Sequence, residues 1–96
     1  MFYCVAYDIR SNKLRLKMAK ICLKIGLWRV QRSIFMGRSL PRLVGDLEAA
    51  ARLALLPTDR FMLLPLDEPT FEKLLFLGEK LDLKRLSAVF PAARCF

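Results

Sequence analysis

With 96 residues, the chain has length for one compact domain and one small core, and it excludes a separate regulatory or second catalytic domain. Hydrophobic residues make up 55% of it, more than so small a core hides, so part of the apolar surface is expected against a partner. Seventeen Lys and Arg against nine Asp and Glu give a formal charge of +8, which points to a polyanionic partner, and the lack of any histidine removes the commonest general base, Cys-His and Ser-His pairs, and the usual zinc ligand.

Met1 to Ile9 reads as a strand, with Phe2, Cys4, Ala6 and Asp8 on one side and Tyr3, Val5 and Tyr7 on the other. It carries Asp8 at its C-terminal end. The start lacks the basic opening and apolar core of a signal peptide, and no apolar run is long enough to span a bilayer, so a soluble cytoplasmic protein is expected. Cys4, Cys22 and Cys95 form no C-x-x-C pair and suggest neither a disulfide framework nor a zinc ribbon.

From Asn12 the period becomes helical. Leu14, Met18, Ile21, Cys22 and Ile25 make an apolar stripe, Lys13, Lys17, Lys20 and Lys24 the opposite one, and Gly26 is a natural stop. Leu27 to Met36 has strand composition, yet Trp28, Val30, Ile34 and Phe35 keep to no single face, as expected of a strand covered on both sides. Gly37 to Leu40 reads as a turn, and Pro41 opens a second helix running to about Leu56. Arg60 to Leu66 is a further strand; Phe71 to Leu77, closed by Gly78, fits either a helix or a strand and is taken as a strand.

The fold class expected is α+β, a ferredoxin-like βαββαβ arrangement with two helices on one face of a four-stranded antiparallel sheet. Its bare second face is expected to be covered by dimerisation. Residues 1–78 are assigned to this module. Glu79 to Phe96 is too apolar for a free tail and is assigned to dimerisation and partner contact within the same domain, extending the partner's sheet.

Between Ile9 and Gly45 stand ten basic residues and no acidic one, whereas a solubility face normally mixes both signs. Such a run neutralises adjacent phosphates and releases their counterions. The nucleic-acid-binding residues expected are Arg10, Lys13, Arg15, Lys17, Arg29, Arg32 and Arg38. Asp8 has two readings, a hard-metal ligand near phosphate or a cap for the turn into the first helix. A single Asp makes a poor magnesium site, and a two-fold dimer that brought both Asp8 residues together would supply the second carboxylate. No phosphate-binding glycine motif is present, so nucleotide hydrolysis has no support.

Three segments resemble the CRISPR-associated protein 2 family: the opening strand Tyr3 to Ile9, the helix end Ile25-Gly26-Leu27, and the run Arg29 to Gly37. Phe61 to Leu66 and Phe71 to Gly78 continue the likeness as the family's third and fourth strands. The resemblance implies a homodimer that binds duplex DNA and scaffolds the integrase subunit during spacer acquisition. It also implies a metal-dependent endonuclease activity on RNA or DNA, with Asp8 as the catalytic and metal-binding residue, Mg2+ or Mn2+ as cofactor, and Tyr7, Ser33 and Phe35 shaping the groove or interface. Whether the chain is an enzyme is left open by its residues. Met36 stands where many members carry an acid, and Lys17, where arginine is expected, keeps the charge without the bidentate fork. The alternative is a ferredoxin-like RNA-binding module or toxin-like endoribonuclease unrelated to CRISPR, since this fold hosts many functions.

Overall fold

The computed structural model describes residues 1–76 and 94–95. Its elements run β1 (Phe2–Asp8), α1 (Asn12–Lys24), β2 (Trp28–Gln31), β3 (Ile34–Arg38), α2 (Pro41–Ala54), β4 (Arg60–Leu66), α3 (Glu68–Phe71), β5 (Leu75–Phe76) and β6 (Arg94–Cys95). The first six make the expected βαββαβ order, and β1 to β4 form one antiparallel sheet in the order β2-β3-β1-β4.

The four strands are not the four that composition suggests. Leu27 to Met36 is a hairpin, with Gln31 paired to Ile34 across Arg32-Ser33 and a bulge between Arg29 and Gln31. Gly37 and Arg38, expected in a turn, continue β3, and Gly37 pairs with Tyr3. Phe71, expected in a strand, ends the short helix α3, which Asp67 caps by accepting a hydrogen bond from Thr70 N at 2.8 Å. Among the described residues of that run only Leu75–Phe76 is extended, and it pairs in parallel with Arg94–Cys95 outside the four-stranded sheet; Leu77 and Gly78 lie outside the described residues. The remaining residues assigned to partner contact, 79–93 and 96, lie outside the described residues.

Both helices lie on the face of β1 that carries Tyr3, Val5 and Tyr7, as the alternation predicts. These side chains join Met18, Ala19 and Cys22 of α1, Val44, Leu47 and Ala51 of α2, and Phe35 of β3 in the main core. Each such apolar side chain, fully buried, contributes about 1.5–3 kcal/mol. The second face has a smaller cluster in which Phe71 of α3 stacks on Phe2, ring centroids 4.8 Å apart, beside Val30 and Met36. This cluster stops short of the Asp8 end, and Met62 and Leu64 of β4, opposite Ala6 and Cys4, stay exposed. Among the described residues no helix is long and apolar enough to cross a membrane.

α1 ends as a Schellman motif. Leu27 N donates to Cys22 O at 3.0 Å, Gly26 N donates to Leu23 O at 3.2 Å, and Gly26 takes the positive φ of 101° that the motif requires. The chain then enters β2 directly, which brings Arg29 alongside β3.

Candidate functional site

β1 delivers Asp8 to one end of the sheet, paired in register with Arg60 of β4. The Arg32-Ser33 turn closes on the same place, because Tyr7 N donates to Ser33 O at 3.1 Å. Asp8 is exposed, and its carboxylate has no hydrogen bond or ion pair among the described residues. The capping role is therefore taken by others. Ser11 caps α1 by accepting from Leu14 N at 3.2 Å, and Asp59 accepts from Arg10 N at 3.2 Å and from Leu56 N at 3.0 Å.

Two clefts meet at Asp8. The one on the helix side, about 760 Å³, is walled by Asn12, Arg15 and Leu16 of α1, Arg29 of β2, and Arg32 and Ser33 of the turn. The one on the open sheet face, about 490 Å³, is walled by Ala6, Gln31, Ile34 and the β4 residues Arg60, Phe61 and Met62. A single carboxylate thus sits among Arg15, Arg29, Arg32 and Arg60.

The cations are held in different ways. Arg29 is exposed, with its guanidinium carbon 5.1 Å from the centroid of the buried Phe35 ring, and Phe35 in turn stacks with Tyr7 at 6.1 Å. Burial raises the Tyr7 hydroxyl above the ordinary phenol range, and a hydrogen bond with Arg29 partly offsets this. Phe35 therefore faces the helix layer, not the open sheet face. Arg15 is half-buried and donates through Nη1 to the carbonyls of Ile9 at 2.6 Å and Arg10 at 3.1 Å. Arg10, Lys13 and Lys17 are exposed on the loop and on α1. Arg38 pairs with Phe2, six positions along β1 from Asp8. That puts it about 20 Å away at about 3.3 Å per residue, over the Phe2 ring at 4.8 Å. Of the expected cations, Arg15, Arg29 and Arg32 thus line the helix-side cleft at Asp8, Arg10, Lys13 and Lys17 are exposed without lining either cleft, and Arg38 stands at the far end of β1.

Sequence reading missed Arg60 and Asp59. Arg60 lies outside the basic segment, and its tie to Asp8 is a matter of strand register; Asp59 sits in a Pro-Thr-Asp turn whose side-chain acceptor was the available signal.

No group of three His, Cys, Asp or Glu comes together among the described residues, and Asp8 is the carboxylate that lines the two clefts. An exposed carboxylate with free lone pairs beside a cluster of arginines fits magnesium, which is held by one or two carboxylates, waters and substrate phosphates.

These features define a ferredoxin-like α+β domain with a cationic site built around one carboxylate at a sheet end. Residues 1–74 match the family model described as CRISPR associated protein Cas2, and the chain belongs to that family. A CRISPR-associated endoribonuclease Cas2 of Korarchaeum cryptofilum is 38% identical over 63 residues, 65% of this chain and 68% of that protein. The chain covers less of two others: 52% of an endoribonuclease Cas2 of Pyrobaculum aerophilum, 47% identical over 47 residues, and 20% of a Cas1/Cas2 endonuclease fusion of Thermoproteus tenax, 48% identical over 54 residues. These matches span 49% and 56% of this chain. Among solved structures, Streptococcus pyogenes Cas2 superposes with a TM-score of 0.68 at 26% identity, covering 81% of this chain and all of that one. A hypothetical protein from Thermus thermophilus gives 0.61 at 37% identity, covering 69% of this chain and 80% of that one.

Proposed function

We propose that the chain is a homodimer that binds duplex DNA and scaffolds an integrase subunit in CRISPR spacer acquisition. The observation that carries the DNA-binding part is the exposure of Arg10, Lys13, Lys17, Arg29 and Arg32 in a segment with no acid between Ile9 and Gly45, with Arg29 and Arg32 lining the cleft at Asp8. Exposed Met62 and Leu64 on the sheet face opposite α1 and α2 support a second copy seated there. The fusion of Cas1 and Cas2 in the Thermoproteus tenax relative supports a Cas1-type integrase as partner. Family membership removes the need for a CRISPR-unrelated module.

A second reading, a metal-dependent phosphodiesterase acting on RNA or DNA, is favoured by the free carboxylate of Asp8 and by the endoribonuclease names of the relatives. Asp8 of each protomer would hold Mg2+ or Mn2+. Bound there, the metal would activate water and offset charge on the scissile phosphate. Arg29, stacked on Phe35, would orient a phosphate beside that carboxylate, and Ser33 and Tyr7 would fix the wall behind it.

One pair of assays tests both readings. Wild type and Asp8→Asn should bind duplex DNA equally, with log K falling steeply against log salt, and Lys13→Gln should flatten that slope by about 0.9. Salt-insensitive binding by the wild type overturns the DNA-binding reading. Labelled RNA and duplex cut with magnesium by the wild type, and not by Asp8→Asn or with chelator, would establish the phosphodiesterase; equal cutting by both proteins would remove it.

A further inference from the structure

Arg15 stands in the helix-side cleft one helical turn into α1, where its charge suggests one more phosphate contact. Its geometry points elsewhere. A helical side chain leans toward the helix N-terminus, and Arg15 Nη1 there donates to both carbonyls of the connection that leaves β1, Ile9 O at 2.6 Å and Arg10 O at 3.1 Å. A bidentate phosphate contact uses the parallel N–H groups of the guanidinium fork, and one arm of this fork is already committed. Arg29, by contrast, lies exposed over the Phe35 ring and is hydrogen-bonded to the Tyr7 hydroxyl, with no backbone carbonyl holding its guanidinium among the described residues.

The same connection is held from its other side. Asp59, at the entry to β4, accepts from Arg10 N at 3.2 Å. Ile9 is buried between these two ties, and Asp8 immediately precedes it. We infer that Arg15 is a positioning residue that, with Asp59, latches the β1–α1 connection and so fixes the direction of Asp8, and that it does not itself bind a phosphate. This rests on the reading that the Asp8 end of the sheet is the nucleic-acid site, and it divides the arginines of that site into a latch and true contacts.

The experiment compares wild type, Arg15→Gln and Arg29→Gln on a labelled duplex across a salt series, with backbone hydrogen exchange measured on the free proteins. The latch predicts that Arg29→Gln flattens the salt slope by about 0.9 while Arg15→Gln leaves it unchanged. It also predicts that the Arg10 amide exchanges severalfold faster in Arg15→Gln alone. An Asp59→Asn variant, which weakens the opposite tie without touching a cation, should reproduce that faster exchange. A flatter slope in Arg15→Gln overturns the latch whatever the exchange shows, and unchanged exchange overturns it as well. If the wild type itself shows no salt-dependent binding, the nucleic-acid reading fails instead, and the exchange data alone then decide whether the latch exists.

Discussion

At the scale of single residues, burial sorts the chain's reactive groups into those available to a ligand and those withdrawn from it. Cys22 is fully buried beneath the sheet, and loss of solvation pushes its thiol up from 9.0 to about 12. It is withdrawn from chemistry at neutral pH and is a core residue, as its place on the apolar stripe of the first helix suggests. The raised value also makes stability pH-dependent. Between about pH 9 and 12 the unfolded chain has released this proton and the folded chain keeps it, so folding weakens as pH rises, by up to about 1.4 kcal/mol per unit, and is insensitive to this group below pH 9. Urea midpoints at pH 8 and pH 10 should therefore fall farther apart for the wild type than for Cys22→Ala; equal shifts in the two proteins would show that another group carries the loss. Asp8 sorts the other way. Its sequence position alone favours capping over metal ligation, and only the three-dimensional partners of Ser11 and Asp59 show that the turn into α1 is already capped by others.

At the scale of elements, α1, α2 and β4 were legible because period, Pro41, Gly26 and strand-like composition all agree there. The β2–β3 hairpin was not, since Arg32-Ser33 carries no glycine, asparagine or proline to announce a turn. What the residues do offer is broken alternation in Trp28, Val30, Ile34 and Phe35; this broken pattern marks the hairpin and bulge as well as burial on both faces. Gly37 was misread for the opposite reason, its glycine suggesting a turn where the fold needs a strand residue without a side chain. A Cβ there would stand 2.8 Å from Gly26 O and 2.9 Å from Leu27 Cα, both backbone atoms that cannot swing aside. Gly37→Ala should thus force β3 away from the end of α1 and cost about 1–3 kcal/mol. Chemical denaturation would register this as a lower midpoint with an unchanged m-value. An unchanged midpoint would mean that the close approach of these backbones is not maintained in solution.

At the scale of the whole molecule, the two faces of the sheet are finished to different degrees. The helix side is closed by α1 and α2, whereas among the described residues the other side is covered by α3 near Phe2, through the Phe71 stack. Along the middle of β4, Met62 is 52% and Leu64 46% exposed, opposite half-buried Ala6 and Cys4. The 55% hydrophobic content that composition alone could not place is here given a location. An apolar strip on a strand face, in line with the carboxylate, suits a two-fold contact in which the same surface meets its own copy. Such a contact would join the two open faces and bring two Asp8 ends onto one particle, doubling the cationic surface offered to a duplex. Replacing Leu64 with Lys puts a charge in the middle of that contact while leaving the helix-side core untouched. Light scattering should give about 22 kDa for the wild type, twice the 11.1 kDa chain, and about 11 kDa for Leu64→Lys, with duplex binding weakened in the variant because each particle then carries half the cations. A wild type of 11 kDa, or a Leu64→Lys protein still at 22 kDa, would show that the open face is not where copies meet.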